Sequence, residues 1–148
     1  MKRIFILIIM IVGFSVANAC ENDDLLNTCQ KWLSENGISF QIEKRVLYFE
    51  YQGGAFVVTV PEDDKSFLHL VMPCVYEVSE EESCRVLENL NLINQETKCV
   101  KAVLIDSDVW LIIDMLVEST SGIDTFFERL LGILHETRWE LSYVLPQR

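Results

Sequence analysis

Positive charge is scarce in this chain: 12 Lys and Arg stand against 23 Asp and Glu, a formal net charge of −11 over 148 residues. A nucleic-acid partner needs clustered basic side chains to meet its phosphates, and no such cluster exists, so that class of partner is excluded. The signatures of common enzymes are missing as well. Gly-x-Ser-x-Gly, His-Glu-x-x-His, a phosphate-binding glycine loop and a dinucleotide fingerprint are all absent. No Cys-x-x-Cys occurs, and the cysteine spacings are unlike those of a zinc site. No catalytic residue, cofactor or metal is therefore assigned. Internal repeats, low-complexity tracts and long linkers are also lacking, so one ordinary domain suffices, burying roughly two-thirds of its unfolded surface.

What is present begins at the N-terminus. Lys2-Arg3, an apolar run over residues 4–14 and then Ser15-Val16-Ala17-Asn18-Ala19-Cys20 have the outline of a secretory signal peptide. The run is too short for a membrane span and is followed at once by Glu21, Asp23 and Asp24. The expectation is a signal peptide over residues 1–19 and a mature domain over residues 20–148, exported to the periplasm or envelope. Ala17-Asn18-Ala19 fits small-x-small cleavage, while Cys20 sits where a bacterial lipoprotein carries its lipid, with Ala17 in the place where Leu is usual. A soluble secreted form and a lipoprotein anchored through Cys20 both remain open. Thiols outside the cytoplasm can oxidise. Cys29, Cys74, Cys84 and Cys99 allow three pairings, of which Cys74 with Cys84 is the most local; buried, reduced thiols are the alternative.

The centre of the chain is a hairpin. Val46 to Gln52 and Ala55 to Val60 alternate around Gly53-Gly54. With the two glycines as the whole loop, Tyr51 faces Phe56, Phe49 faces Val58 and Leu47 faces Val60, giving one wholly apolar face. The other face is mixed, with Glu50 beside Val57 and Tyr48 beside Thr59. Before the hairpin, Leu25, Leu26, Cys29, Trp32 and Leu33 recur at helical spacing, capped by Asn22 or Asp23 and ended before Gly37. Ile38, Phe40 and Ile42 then alternate as a short strand. After the hairpin comes an acidic, solvated turn over residues 61–65, followed by a strand from Phe67 that stops at Pro73. His69 on that strand reads as a structural histidine.

Ser79 and Glu82 form a capping-box pattern for a helix over residues 80–96 with Val86, Leu87, Leu90 and Ile93 inward. Asn89, Asn91 and Asn94 would lie along its rim. Residues 100–105 and 109–116 form a second hairpin around Asp106-Ser107-Asp108, whose acids are turn chemistry rather than a metal site. A last helix over residues 121–146 carries the strongest stripe, Ile123, Phe126, Phe127, Leu130, Leu131 and Leu134, resuming at Leu141 and Val144. The class is α+β: an antiparallel sheet of five or six strands in the order α-β-β-β(-β)-α-β-β-α.

With these residues placed, the chain resembles the YbjN family, proposed regulators of bacterial sensory transduction with a fold similar to type III secretion chaperones. The resemblance rests on Phe49-Glu50-Tyr51-Gln52-Gly53-Gly54-Ala55-Phe56, Thr59-Val60 with the acidic turn and Ser66-Phe67-Leu68, Asn91 and Asn94 before Lys98, and Lys101-Ala102 with Asp108-Val109-Trp110. It implies a non-enzymatic domain that dimerises or holds an extended partner segment against its sheet, and it supplies no catalytic residues. Tyr48, Val57, Phe67, Val71, Trp110 and Ile112 on the mixed face are the expected partner surface. The alternatives are a small envelope enzyme or a disulfide-stabilised envelope scaffold.

Overall fold

The computed structural model describes residues 25–145, so the expected signal peptide, Cys20 and the caps Asn22 and Asp23 lie outside the described residues. Six antiparallel strands form one sheet in the order β1-β2-β3-β4-β6-β5, and three α-helices accompany it. Helix α1 (Leu25–Glu35) buries all five of its expected stripe residues. It ends because Gly37, at φ 68°, takes a left-handed conformation that lets the amides of Gly37 and Ile38 reach back to the carbonyls of Ser34 and Leu33.

Strands β1 (Phe40–Glu43), β2 (Val46–Tyr51) and β3 (Gly54–Thr59) form the expected meander. The turn between β2 and β3 is not the two glycines. Gln52 and Gly53 occupy it, at φ 49° and 74°, the doubly positive geometry that suits a tight hairpin. The pairing is therefore Tyr51 with Gly54, Phe49 with Phe56 and Leu47 with Val58. Each residue's partner moves by two positions, so the register changes while the faces keep their expected composition. Gly54 serves packing instead of turning. A Cβ there would lie 2.9 Å from His135 Cε1 and 3.1 Å from Phe56 and Met72 side-chain atoms. Phe49 and Phe56 stack with ring centroids 5.3 Å apart as a result of the observed register.

Strand β4 (Phe67–Glu77) runs through Pro73 instead of stopping there. Its pairing with β3 reaches only Val71, so the missing amide of Pro73 breaks no bond on that side. Against β6 (Asp108–Leu116) the register shifts between Met72 and Tyr76, with Cys74 at φ 51° inside the irregularity. A 3₁₀ turn, Glu80–Glu82, precedes helix α2 (Ser83–Glu96). Glu82 Oε2 accepts from Ser79 N and Oγ at 3.3 and 2.7 Å, so the capping pattern holds the start of this segment. Val86, Leu90 and Ile93 are buried, but Leu87 is 51% exposed: the inward stripe is one residue narrower than expected.

Strand β5 (Lys101–Ile105) pairs with β6 around Asp106-Ser107, with Asp106 at φ 54°. Helix α3 (Ile123–Val144) starts after Gly122, at φ 85°, later than Ser121. Leu141 is buried as expected, whereas Val144 is 45% exposed because the helix end runs out past the sheet.

One core holds the molecule together. Stripe residues of all three helices join Leu47, Phe49, Phe56, Val58, Leu68, Leu70, Leu111 and Ile113 in a single buried cluster. Phe127 sits at its centre, edge-on to Trp32 at 5.1 Å and close to Phe49. Burying a side chain of this size contributes about 1.5–3 kcal/mol through area alone. Because strand side chains alternate, the helices cover one face of the sheet and leave the other without a layer.

Candidate functional site

The uncovered face carries all six residues expected to meet a partner. Tyr48 pairs with Val57, Val57 with Val71, and Val71 with Ile112, so four of them form one continuous row across β2, β3, β4 and β6. Trp110 lies two residues along β6 on the same face, and Phe67 lies opposite Leu116 at the other end. None of these side chains belongs to the helix-side core. Tyr48 is 41% and Leu116 66% exposed, Val57, Phe67, Trp110 and Ile112 are half-buried, and Val71 is buried. Among the described residues no element lies over this apolar surface.

Besides Glu50 and Thr59, the face carries a cluster of interacting polar groups. Asp114 lies opposite His69 on the neighbouring strand, and its carboxylate accepts from His69 Nδ1 and, at 2.9 Å, from Lys101 Nζ on β5. Nδ1 must carry the proton to donate to a carboxylate. Burial pushes the Asp114 carboxyl up, yet the hydrogen bonds and charges of His69 and Lys101 outweigh it and hold the group below its ordinary value. His69 is thus held by a partner, but one that a reading of neighbouring positions does not find: the two residues are 45 apart in sequence.

The asparagines of α2 are structural at two of three positions. Asn94 donates to Ala102 O at 2.9 Å and accepts from Ala102 N at 2.7 Å, and Asn89 donates to Val144 O at 2.8 Å. Cys29 is fully buried in the core, while Cys74, Cys84 and Cys99 are exposed, and among the described residues no disulfide joins any of the four. Burial, and then the negative charge of Asp108, push the Cys74 thiol up. Among the described residues no group of three His, Cys, Asp or Glu side chains is placed to hold a metal ion. Likewise, no described helix is long and apolar enough to cross a membrane.

A second concavity, missed in the sequence, lies beside α3. His135 Nε2 bonds Tyr51 O at 3.0 Å and Arg138 Nη1 donates to Gly53 O at 3.2 Å, tying the helix to the hairpin turn. Next to these ties is a cleft of about 400 Å³, lined among others by Gln52, Tyr76, Arg138 and Trp139.

Comparison with known proteins bears on the whole of this architecture. The profile of the YbjN family, described as "Putative bacterial sensory transduction regulator", matches residues 26–130. The crystal structure of YbjN from E. coli, described as "a putative transcription regulator", superimposes with a TM-score of 0.62 at 19% identity, covering 82% of this chain and 96% of that one. An uncharacterized protein from Methanothermobacter thermautotrophicus superimposes with a TM-score of 0.53 at 10% identity, covering 80% and 97%. No curated protein matches the sequence.

Proposed function

Because the chain belongs to the YbjN family, whose profile runs from the first helix through the whole sheet into the first turns of the last helix, we propose that it is a non-enzymatic binding domain working through its uncovered sheet face. The observation that carries this reading is the apolar row Tyr48, Val57, Val71 and Ile112, continuous across four strands and capped by no element of the described chain. A second copy of the chain or an extended segment of a protein partner would lie on that row. Sheets stack about 10 Å apart face to face, a distance that apolar side chains of this size fill. Trp110 and Tyr48 are the anchors, since large aromatic side chains carry most of the binding free energy at such surfaces.

Export belongs to the same proposal. The N-terminal pattern of residues 1–19 and the position of Cys20 support delivery to the envelope, as a lipoprotein or as a soluble periplasmic protein. Intact mass of the protein from its native host tests this: loss of residues 1–19 supports export, and retention of Met1 to Ala19 rejects it.

The binding surface is tested by the double variant Tyr48→Glu, Trp110→Glu. Self-association by light scattering, or capture of a crosslinked protein partner, is expected to fall by about 1,000-fold, the effect of removing two anchors at about 2 kcal/mol each. A variant that keeps its circular dichroism spectrum and associates as before would show that the surface is wrongly assigned.

A further inference from the structure

The cleft beside α3 lies away from the proposed docking face, and its chemistry is unusual for this chain. Its volume of about 400 Å³ is within the range of small-molecule sites. A neighbouring hollow of about 200 Å³ shares Val75 and Arg138 with it. The row His135, Arg138, Trp139 and Ser142 on α3 forms one wall, at the three- and four-residue spacing of a single helix face. Gln52 from the hairpin turn and Val75 and Tyr76 from the irregular part of β4 form the other. Two residues on that side, Gln52 and Cys74, hold left-handed backbone at φ 49° and 51°. The first belongs to the hairpin turn and the second to the irregularity of β4, which set the shape of this wall.

Charge then selects the ligand. Neither hollow is lined by a single Asp or Glu, although acids outnumber bases by 23 to 12 in the sequence. Neutral sugars present many hydroxyl donors and are best held where carboxylate acceptors line the wall, so their class fits poorly. Arg138 offers the opposite character. One Nη1 hydrogen goes to Gly53 O at 3.2 Å, which fixes the guanidinium at the cleft wall. The remainder of its five N–H donors meets no hydrogen-bond acceptor among the described residues. A guanidinium so placed matches a carboxylate in a two-point hydrogen bond. Beside it Trp139 is 67% exposed, braced edge-on by Tyr143 at 5.9 Å, a flat apolar wall left in water. Glu136 and Glu140 flank the row on α3 and are exposed, so they oppose a ligand with more than one negative charge.

We infer that this cleft binds a monoanionic ligand that presents a carboxylate to Arg138 and a flat or apolar body to Trp139. Two sources offer this chemistry, a free small carboxylic acid and the C-terminal residue of a peptide. Four probes separate them: N-acetylphenylalanine and its amide, and acetyl-Ala-Ala-Phe as free acid and as amide. Each is titrated into the full chain and followed by tryptophan fluorescence and backbone amide shifts. The acids are expected to shift Gln52, Val75 and Arg138 and to bind about 10-fold more tightly than the amides. Tighter binding of the peptide acid than of the amino acid identifies a peptide terminus, and equal binding identifies a small acid. Arg138→Gln should erase the acid-to-amide difference. Ser142→Glu, an exposed position on the same wall, should weaken the acids by a similar factor with an unchanged melting curve. Equal binding of acid and amide overturns the inference, as does the absence of shifts at those residues at about 10 mM probe, a concentration at which even weak specific sites begin to fill.

Discussion

On the helix-covered side of the sheet, Leu47, Val58, Leu70 and Ile113 form a row across β2, β3, β4 and β6 in which no residue is more than 1% exposed. One residue along each strand, Tyr48, Val57, Val71 and Ile112 form a parallel row on the other side, and Tyr48 there is 41% exposed. The two rows are of similar apolar character. What separates them is the helices, whose stripes all face the first row and none the second. Apolar content in a strand therefore does not by itself say that the residue stabilises the fold. The first row is part of the buried core; if the second serves association as proposed above, the two properties should respond to different substitutions.

The largest test of that division is Phe127→Ala. It removes the ring between Trp32 and Phe49 at the centre of the covered side and should cost about 3–5 kcal/mol in urea unfolding. Association of the remaining folded molecules should not change. Next is Gly54→Ala, which places a methyl group against His135 and is expected to cost about 1–3 kcal/mol through overpacking. A neutral result would mean that α3 can move off the hairpin. Acid sharpens the comparison on the uncovered side. The folded-state pKa of Asp114 lies below its ordinary value, so its contribution is complete above pH ~4, near the reference carboxylate value, and fades as pH falls through the depressed folded value. Urea midpoints followed from about pH 5 to about pH 2, a range that brackets this titration, should fall less in Asp114→Asn than in the parent. Asp114 is only part-buried and its partner Lys101 is exposed, so the difference is expected to be small. Smallest of all is Leu87→Lys, at a position 51% exposed although its helix neighbour Leu90 is buried; a change within about 0.5 kcal/mol is expected.

Much of the architecture was legible from periodicity. The α1 stripe, the strand alternation, the second hairpin and the assignment of six residues to one face follow from spacings of two, three and four, which are local properties of the chain. What was not legible depends on encounters between distant segments. The turn falls on Gln52 and Gly53, which leaves Gly54 where its missing side chain makes room for His135, a residue distant in sequence. Pro73 does not end β4 because β3 has already stopped pairing there. Leu87 faces outward while Val86 and Leu90 on the same helix are buried, so the width of a stripe is set by what packs against it. The His69–Asp114–Lys101 cluster and the cleft at Arg138 carry no sequence motif, since each is assembled from elements joined only by the fold.

The double hydrogen bond between Asn94 and the backbone of Ala102 has a consequence for how molecules can add to one another. Strand β5 lies at one border of the sheet, and the side-chain amide imitates the strand that would otherwise continue it. The opposite border, β1, has no such plug among the described residues. Strand addition at the β5 margin would first have to displace that amide pair from Ala102, a barrier that the β1 margin does not present among the described residues.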